Sequence, residues 1–189
     1  MFGLFGRSKK TIRSPKIIIA SIGPDDAALV EGDREIYNGF FSDLDTISVN
    51  TIEEFYDAIS NRACDIFHLL ARVSPDHTIQ SENGASFFRR LSSLDLKILI
   101  LASENDADSL IPFCTEAPNA GVERVNMVMT LDRKGEVFVR FFKSLFGSMI
   151  GGMTMPEAWV QLVPQNPNMT HEAPDTVFSA GNGSLKLSV

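Results

Sequence analysis

Lys97-Ile98-Leu99-Ile100-Leu101-Ala102 is the most apolar stretch of the chain, five apolar residues running without alternation. A run this short with both faces apolar reads as a strand covered on both sides of a parallel sheet. The same pattern recurs upstream. Lys16-Ile17-Ile18-Ile19-Ala20 is a β-branched run broken at Gly23-Pro24, and Asp65-Ile66-Phe67-His68-Leu69-Leu70-Ala71 repeats it. Asp45–Val49, Arg124–Met129 and Thr176–Ala180 read as further strands, the last turned at Gly181-Asn182-Gly183. Helical patterns separate them, at 25–42, after Thr51, at 85–91, 107–114 and 134–150, and from Met155 onward. Thr51-Ile52-Glu53-Glu54 is a capping box, in which threonine and glutamate side chains satisfy each other's backbone donors. Pro156 sits in a first helical turn, where no N–H is missed. Residues 74–83 and 164–175 read as loops. Strands alternating with helices predict an α/β fold: a mostly parallel sheet of about six strands with helices on both faces, a three-layer sandwich.

The 189 residues fit one domain with a sizeable core. The net charge of −7 is unevenly spread. Residues 1–16 hold five of the 17 basic residues and no acid, so the remainder sets 12 basic residues against 24 acidic ones, a balance of −12. Such a body repels phosphate backbones and is not expected to bind nucleic acid. The chain therefore divides into a basic, flexible leader at 1–15 and a single domain at 16–189. The leader's opening, Met1 to Lys10, places apolar residues ahead of a basic cluster, a composition suited to weak contact with an anionic membrane or a partner. No apolar run approaches the ~20 residues of a membrane span. Cys64 and Cys114 lie in apolar stretches without CxxC spacing, which suits a reducing cytoplasm.

Ligands of an open parallel sheet bind beyond the carboxyl ends of its strands. Here that directs attention to 20–24, 71–77, 102–106 and 130–135. No GxGxxG, P-loop or GxSxG pattern occurs, and His68, His77 and His171 are too scattered for a metal set, so no cofactor or metal is expected. Asp25, Asp26 and Asp76 near strand ends suit acid–base or cation chemistry but read first as capping, solvated groups. His68, mid-strand in apolar company, reads as a satisfied core histidine. Ser103 closes the Lys97–Ala102 strand, where a nucleophile or a turn residue belongs, and its hydroxyl is weak without a base.

The order of these elements resembles the CHAT peptidases, a caspase-like family related to separase. Asp65–Val73 is similar to their third strand, which carries one histidine and, after three residues, a second followed by glycine. Lys97–Glu104 resembles their next strand, which ends Ser-Ala-Cys-Glu, and Gly121–Leu131 their glycine-led strand. Phe141–Leu145, Gly152 and Pro156–Trp159 resemble their aromatic helix, glycine turn and alanine helix, and Pro174–Gly183 their closing strand. The likeness covers roughly residues 60–185. It implies a caspase-like (caspase-hemoglobinase) sheet and a His–Cys dyad, but Arg72 stands at the histidine position, Ser103 at the cysteine position, and Val73 where glycine follows the histidine.

Arginine stays protonated and cannot serve as a base. His68 shares Arg72's strand face but lies about 13 Å away at ~3.3 Å per residue. The resemblance thus implies a degenerate, non-catalytic module that binds another protein, such as an active peptidase or an effector, through Arg72, Asp76 and Glu104, with Arg72 able to pair with Asp76. The alternative is a hydrolase with a rearranged site, which requires His68 or His77 within reach of Ser103 or a cysteine. A receiver- or flavodoxin-like regulator fits poorly, because the first strand ends Ala20-Ser21 and the third Ala71-Arg72.

Overall fold

The computed structural model describes residues 11–163 and 173–189, and only the backbone of residues 25–27. The leader's first ten residues, His171, and the side chains of Asp25 and Asp26 lie outside that description. The elements run β1 (Thr11–Arg13), β2 (Ile17–Ile22), α1 (Pro24–Arg34), β3 (Leu44–Val49), α2 (Ile52–Ile59), β4 (Ile66–Leu70), β5 (Thr78–Ile79) and β6 (Glu82–Asn83). They continue with α3 (Gly84–Leu91), β7 (Ile98–Leu101), α4 (Ala107–Thr115), β8 (Asn126–Asp132), α5 (Glu136–Ile150), α6 (Met155–Leu162), β9 (Asp175–Ala180) and β10 (Lys186–Ser188).

The main sheet has six strands in the order β3-β2-β4-β7-β8-β9. The first five are parallel, and β9 closes the edge antiparallel to β8. The register sets Ile19 beside His68, and His68 beside Ile100. Every residue of β2, β4 and β7 is buried, which is why these strands read as continuous apolar runs rather than alternating ones. One sheet face, with Phe67, Leu69, Leu99, Leu101, Met127 and Met129, packs against α2, α3 and α4. The other, with Ile17, Ile19, Ile66, Ile98, Ile100 and Val128, packs against α1, α5 and α6. This is the expected α/β three-layer sandwich.

Local chemistry explains most boundaries. Thr51 and Glu54 form the capping box that starts α2. Thr154-Met155-Pro156-Glu157 forms a second one at α6, with proline in the first turn. Gly23, at φ +103°, makes the sharp passage from β2 into α1. At Gly84 any Cβ would stand 2.3 Å from the Phe113 carbonyl oxygen, so glycine permits the close approach of α3 to α4.

Several expectations need correction. The helix expected over 25–42 ends at Arg34 and is followed by turns to Phe40. The strand expected at Arg124–Met129 is Asn126–Asp132, because Val125 N–H bonds back to Val122 in a turn. The 74–83 loop contains the β5–β6 hairpin, turned at Gln80 and Ser81, both at positive φ. The leader is shorter than residues 1–15: Thr11–Arg13 is a strand pairing parallel with β10, and Ile12 is buried. A three-residue strand leaves too little periodicity to be read from sequence.

The core holds a buried polar cluster. Asp33 on α1 accepts two bonds from the Arg133 guanidinium, 2.6 Å at Oδ1 and 2.9 Å at Oδ2, and lies 2.9 Å from His68 Nε2. His68 Nδ1 lies 2.8 Å from the Tyr37 hydroxyl. Arg133 also donates to the Ala102 carbonyl and stacks 4.2 Å over the Phe138 ring. Burial lifts the Asp33 carboxyl, but His68 and Arg133 more than reverse this and hold it below the usual carboxylate range. Burial pushes Tyr37 well above its ordinary value, so the phenol keeps its proton and donates to Nδ1. His68 then donates from Nε2 to Asp33.

Asp33→Ala should lower unfolding free energy by about 3–5 kcal/mol at neutral pH, because it strands a buried guanidinium. Because the folded carboxyl is depressed, its contribution is complete above the unfolded value of about 3.9 and is lost as pH falls through the folded value. Denaturant titrations of both proteins should therefore converge as the pH drops below about 4.

Candidate functional site

The carboxyl ends of β2, β4, β7 and β8 meet at one end of the sheet. Asn105 ties three of them. Its Oδ1 accepts from Val73 N–H at 2.9 Å, and its Nδ2 donates to the carbonyls of Ser103 (2.6 Å) and Thr130 (3.5 Å). Three buried hydroxyls at the same end, Ser21, Ser103 and Thr130, have no hydrogen-bond partner among the described residues. Around them the surface is charged: Arg72, Asp76, His77, Glu104 and Asp106 are all exposed.

The structure separates the expected site residues rather than gathering them. Arg72 makes no ion pair among the described residues, so the pairing open to it with Asp76 is not formed. Asp76 instead accepts from the hydroxyls of Ser74 (2.5 Å) and Thr78 (2.9 Å), which hold its carboxyl below its ordinary value. Glu104 is exposed beyond β7. His77, held at φ +60°, lies with Nδ1 3.3 Å from the Ser109 carbonyl. His68 is fully buried, and its two nitrogens are engaged by Tyr37 and Asp33. The rearranged hydrolase required His68 or His77 in reach of Ser103 or a cysteine; among the described residues neither makes that contact, because each is bonded elsewhere.

The cysteines are equally disarmed. Burial pushes both thiols up to about 12, and Cys64 donates to the Ile66 carbonyl. Among the described residues no three His, Cys, Asp or Glu side chains are placed to hold a metal ion. No helix there is long and apolar enough to cross a membrane.

Asn105, Asp33, Tyr37 and Arg133 were missed from the sequence. Asp33 and Tyr37 stand four apart, so a helical turn continued past Arg34 would put them on one face with a neighbour at Ile36. A histidine in the middle of an apolar strand demands such partners. Asn105 carried no signal beyond its position after a strand end.

No family model matches the chain, and no curated protein matches its sequence.

With so little thiolate at neutral pH, Ellman's reagent should titrate neither cysteine in the native protein and both after denaturation. Rapid native labelling of either would show that its surroundings open.

Proposed function

We propose that this chain is a non-catalytic, caspase-like module that binds a protein partner across the carboxyl ends of the sheet, as a regulator or scaffold. One observation carries the reading: Ser103 Oγ is buried without a partner, while His68 on the neighbouring strand spends both ring nitrogens on Tyr37 and Asp33. A serine needs a base within hydrogen-bond reach to attack a carbonyl, and none stands there. Arg72, where the CHAT resemblance puts the dyad histidine, supplies a permanent charge and no acceptor.

The same end of the sheet suits binding. Leu69 pairs with Leu101, and Arg72 and Glu104 each follow that pair by three residues at the same end of the sheet. Both are exposed, of opposite sign, and backed by strand ends that Asn105 fixes. Rim charges of this kind select and orient a partner more than they add affinity.

Fluorophosphonate and iodoacetamide-type probes should leave Ser103 unlabelled in the folded protein; labelling at Ser103 would sink the proposal. Ser103→Ala should be neutral or stabilising by up to about 1 kcal/mol, since it removes an unsatisfied buried hydroxyl. Affinity capture from the native cell should recover a partner that Arg72→Glu and Glu104→Lys each release. A partner retained by both variants would move the docking surface elsewhere.

A further inference from the structure

The six-stranded sheet has two edges of different character. β3, at one edge, carries Asp45 in an ion pair with Arg62, and charge of this kind resists further strand pairing. β9 lies at the other edge, and among the described residues no strand pairs with its outer side. From Thr176 to Ala180 it holds neither a charge nor a proline, and its register with β8 runs unbroken there. Alternate residues of such a strand turn their N–H and C=O groups outward. A row of backbone donors and acceptors at this spacing is matched by another extended backbone.

An apolar recess of about 370 Å³ opens beside this edge, between α4 and the β8–β9 pair. Ile111, Pro118, Met127, Met129 and Val177 line it, and Ile111 and Val177 are exposed. Val177 pairs with Met129 and Ser179 with Met127, so both β9 side chains stand on the recess face. Glu123 lines the same recess, is exposed, and enters no ion pair among the described residues. It lies toward the Ala180 end of the edge, because Ala180 pairs with Asn126, three residues after Glu123. The chain's net charge of −7 acts in the same sense.

We propose that β9 receives an extended basic and apolar segment of a partner protein as an added antiparallel strand. The segment sets an apolar side chain beside Val177 at the recess and a lysine or arginine on Glu123. An added strand lies about 4.8 Å outside β9, and its residue opposite Val177 stands about 5 Å from it. Backbone bonds to the edge give affinity whatever the sequence, while the recess and Glu123 select the segment. Burial of Ile111 and Val177 adds to both. β9 itself holds no basic residue to offer the Glu123 of a second copy, which favours a different protein over self-pairing. The surface follows the side of the sheet and includes neither Arg72 nor Glu104.

The test is titration of the full nitrogen-15-labelled chain with the peptide acetyl-Lys-Ile-Thr-Ile-Thr-amide, read by amide chemical shifts. Saturable shifts are expected at Val177, Ser179 and Ile111, with a Kd of about 1 mM or tighter. Methylating one alternate set of peptide amide nitrogens should abolish binding, and methylating the other set should leave it, since only one set faces β9. Glutamate in place of the peptide lysine should weaken binding about tenfold, and Glu123→Lys should restore it. Glu123 is exposed, so that variant should keep the wild-type melting temperature. Absence of saturable shifts at β9, shifts on other faces, or indifference to both methylated sets would overturn the proposal. So would β9 shifts that follow protein concentration alone, with a doubled mass in light scattering, since the occupant would then be a second copy.

Discussion

The carboxylate of Asp33 is where the three parts of this fold meet. It comes from the end of α1, receives both arms of the Arg133 guanidinium 100 residues later, and takes a bond from His68 at the centre of β4. Removing two opposite charges from water is costly, and only bidentate geometry with further hydrogen bonds offsets it. Here those conditions are met: Arg133 is completed by the Ala102 carbonyl and the Phe138 ring, and His68 by Tyr37. The cluster therefore fixes how α1 sits on the sheet and how the chain turns from β8 into α5. Apolar packing alone tolerates small slides of one layer over another; a set of directional bonds at 2.6–2.9 Å does not.

The same cluster occupies both ring nitrogens of His68. This imidazole is fully buried, with Nδ1 engaged by Tyr37 and Nε2 by Asp33. What remains at the carboxyl end of the sheet is a rigid rim. Asn105 binds three strand ends together, Ser74 and Thr78 hold Asp76, and Lys134 pairs with Asp175 at 2.8 Å. Ser21, Ser103 and Thr130 leave their hydroxyls unsatisfied beneath that rim, an arrangement uncommon in protein interiors. An open parallel sheet keeps its ligand-facing surface at this end, and here Arg72, Asp76 and Glu104 are exposed on it.

Much of the architecture was legible in the sequence. Lys97–Ala102 and Lys16–Ala20 announced buried strands because a strand covered on both faces must be apolar at every position. Thr51–Glu54 announced a helix start because its side chains satisfy backbone donors four residues apart at most. Thr154–Glu157 carried the same signal and went unread. The short pairs were not legible: Thr11–Arg13 becomes a strand only because β10 returns beside it from the other end of the chain. The candidate site divides the same way. Arg72 and Glu104, singled out through the family resemblance, are exposed after their strands, whereas Arg72 and Asp76 form no pair and Asp76 accepts from nearer hydroxyls.

By itself, then, the sequence determined the layers: the long buried strands and most of the helices that cover them. Those properties follow from periodicity and capping, forces that act within a few residues. Tertiary structure alone decided that Asp33, His68, Tyr37 and Arg133 form one cluster, that β9 enters the sheet antiparallel, and that Thr11–Arg13 pairs with Lys186–Ser188. Each of these depends on residues far apart in the chain. Their distances are set by how the layers pack and not by any local preference.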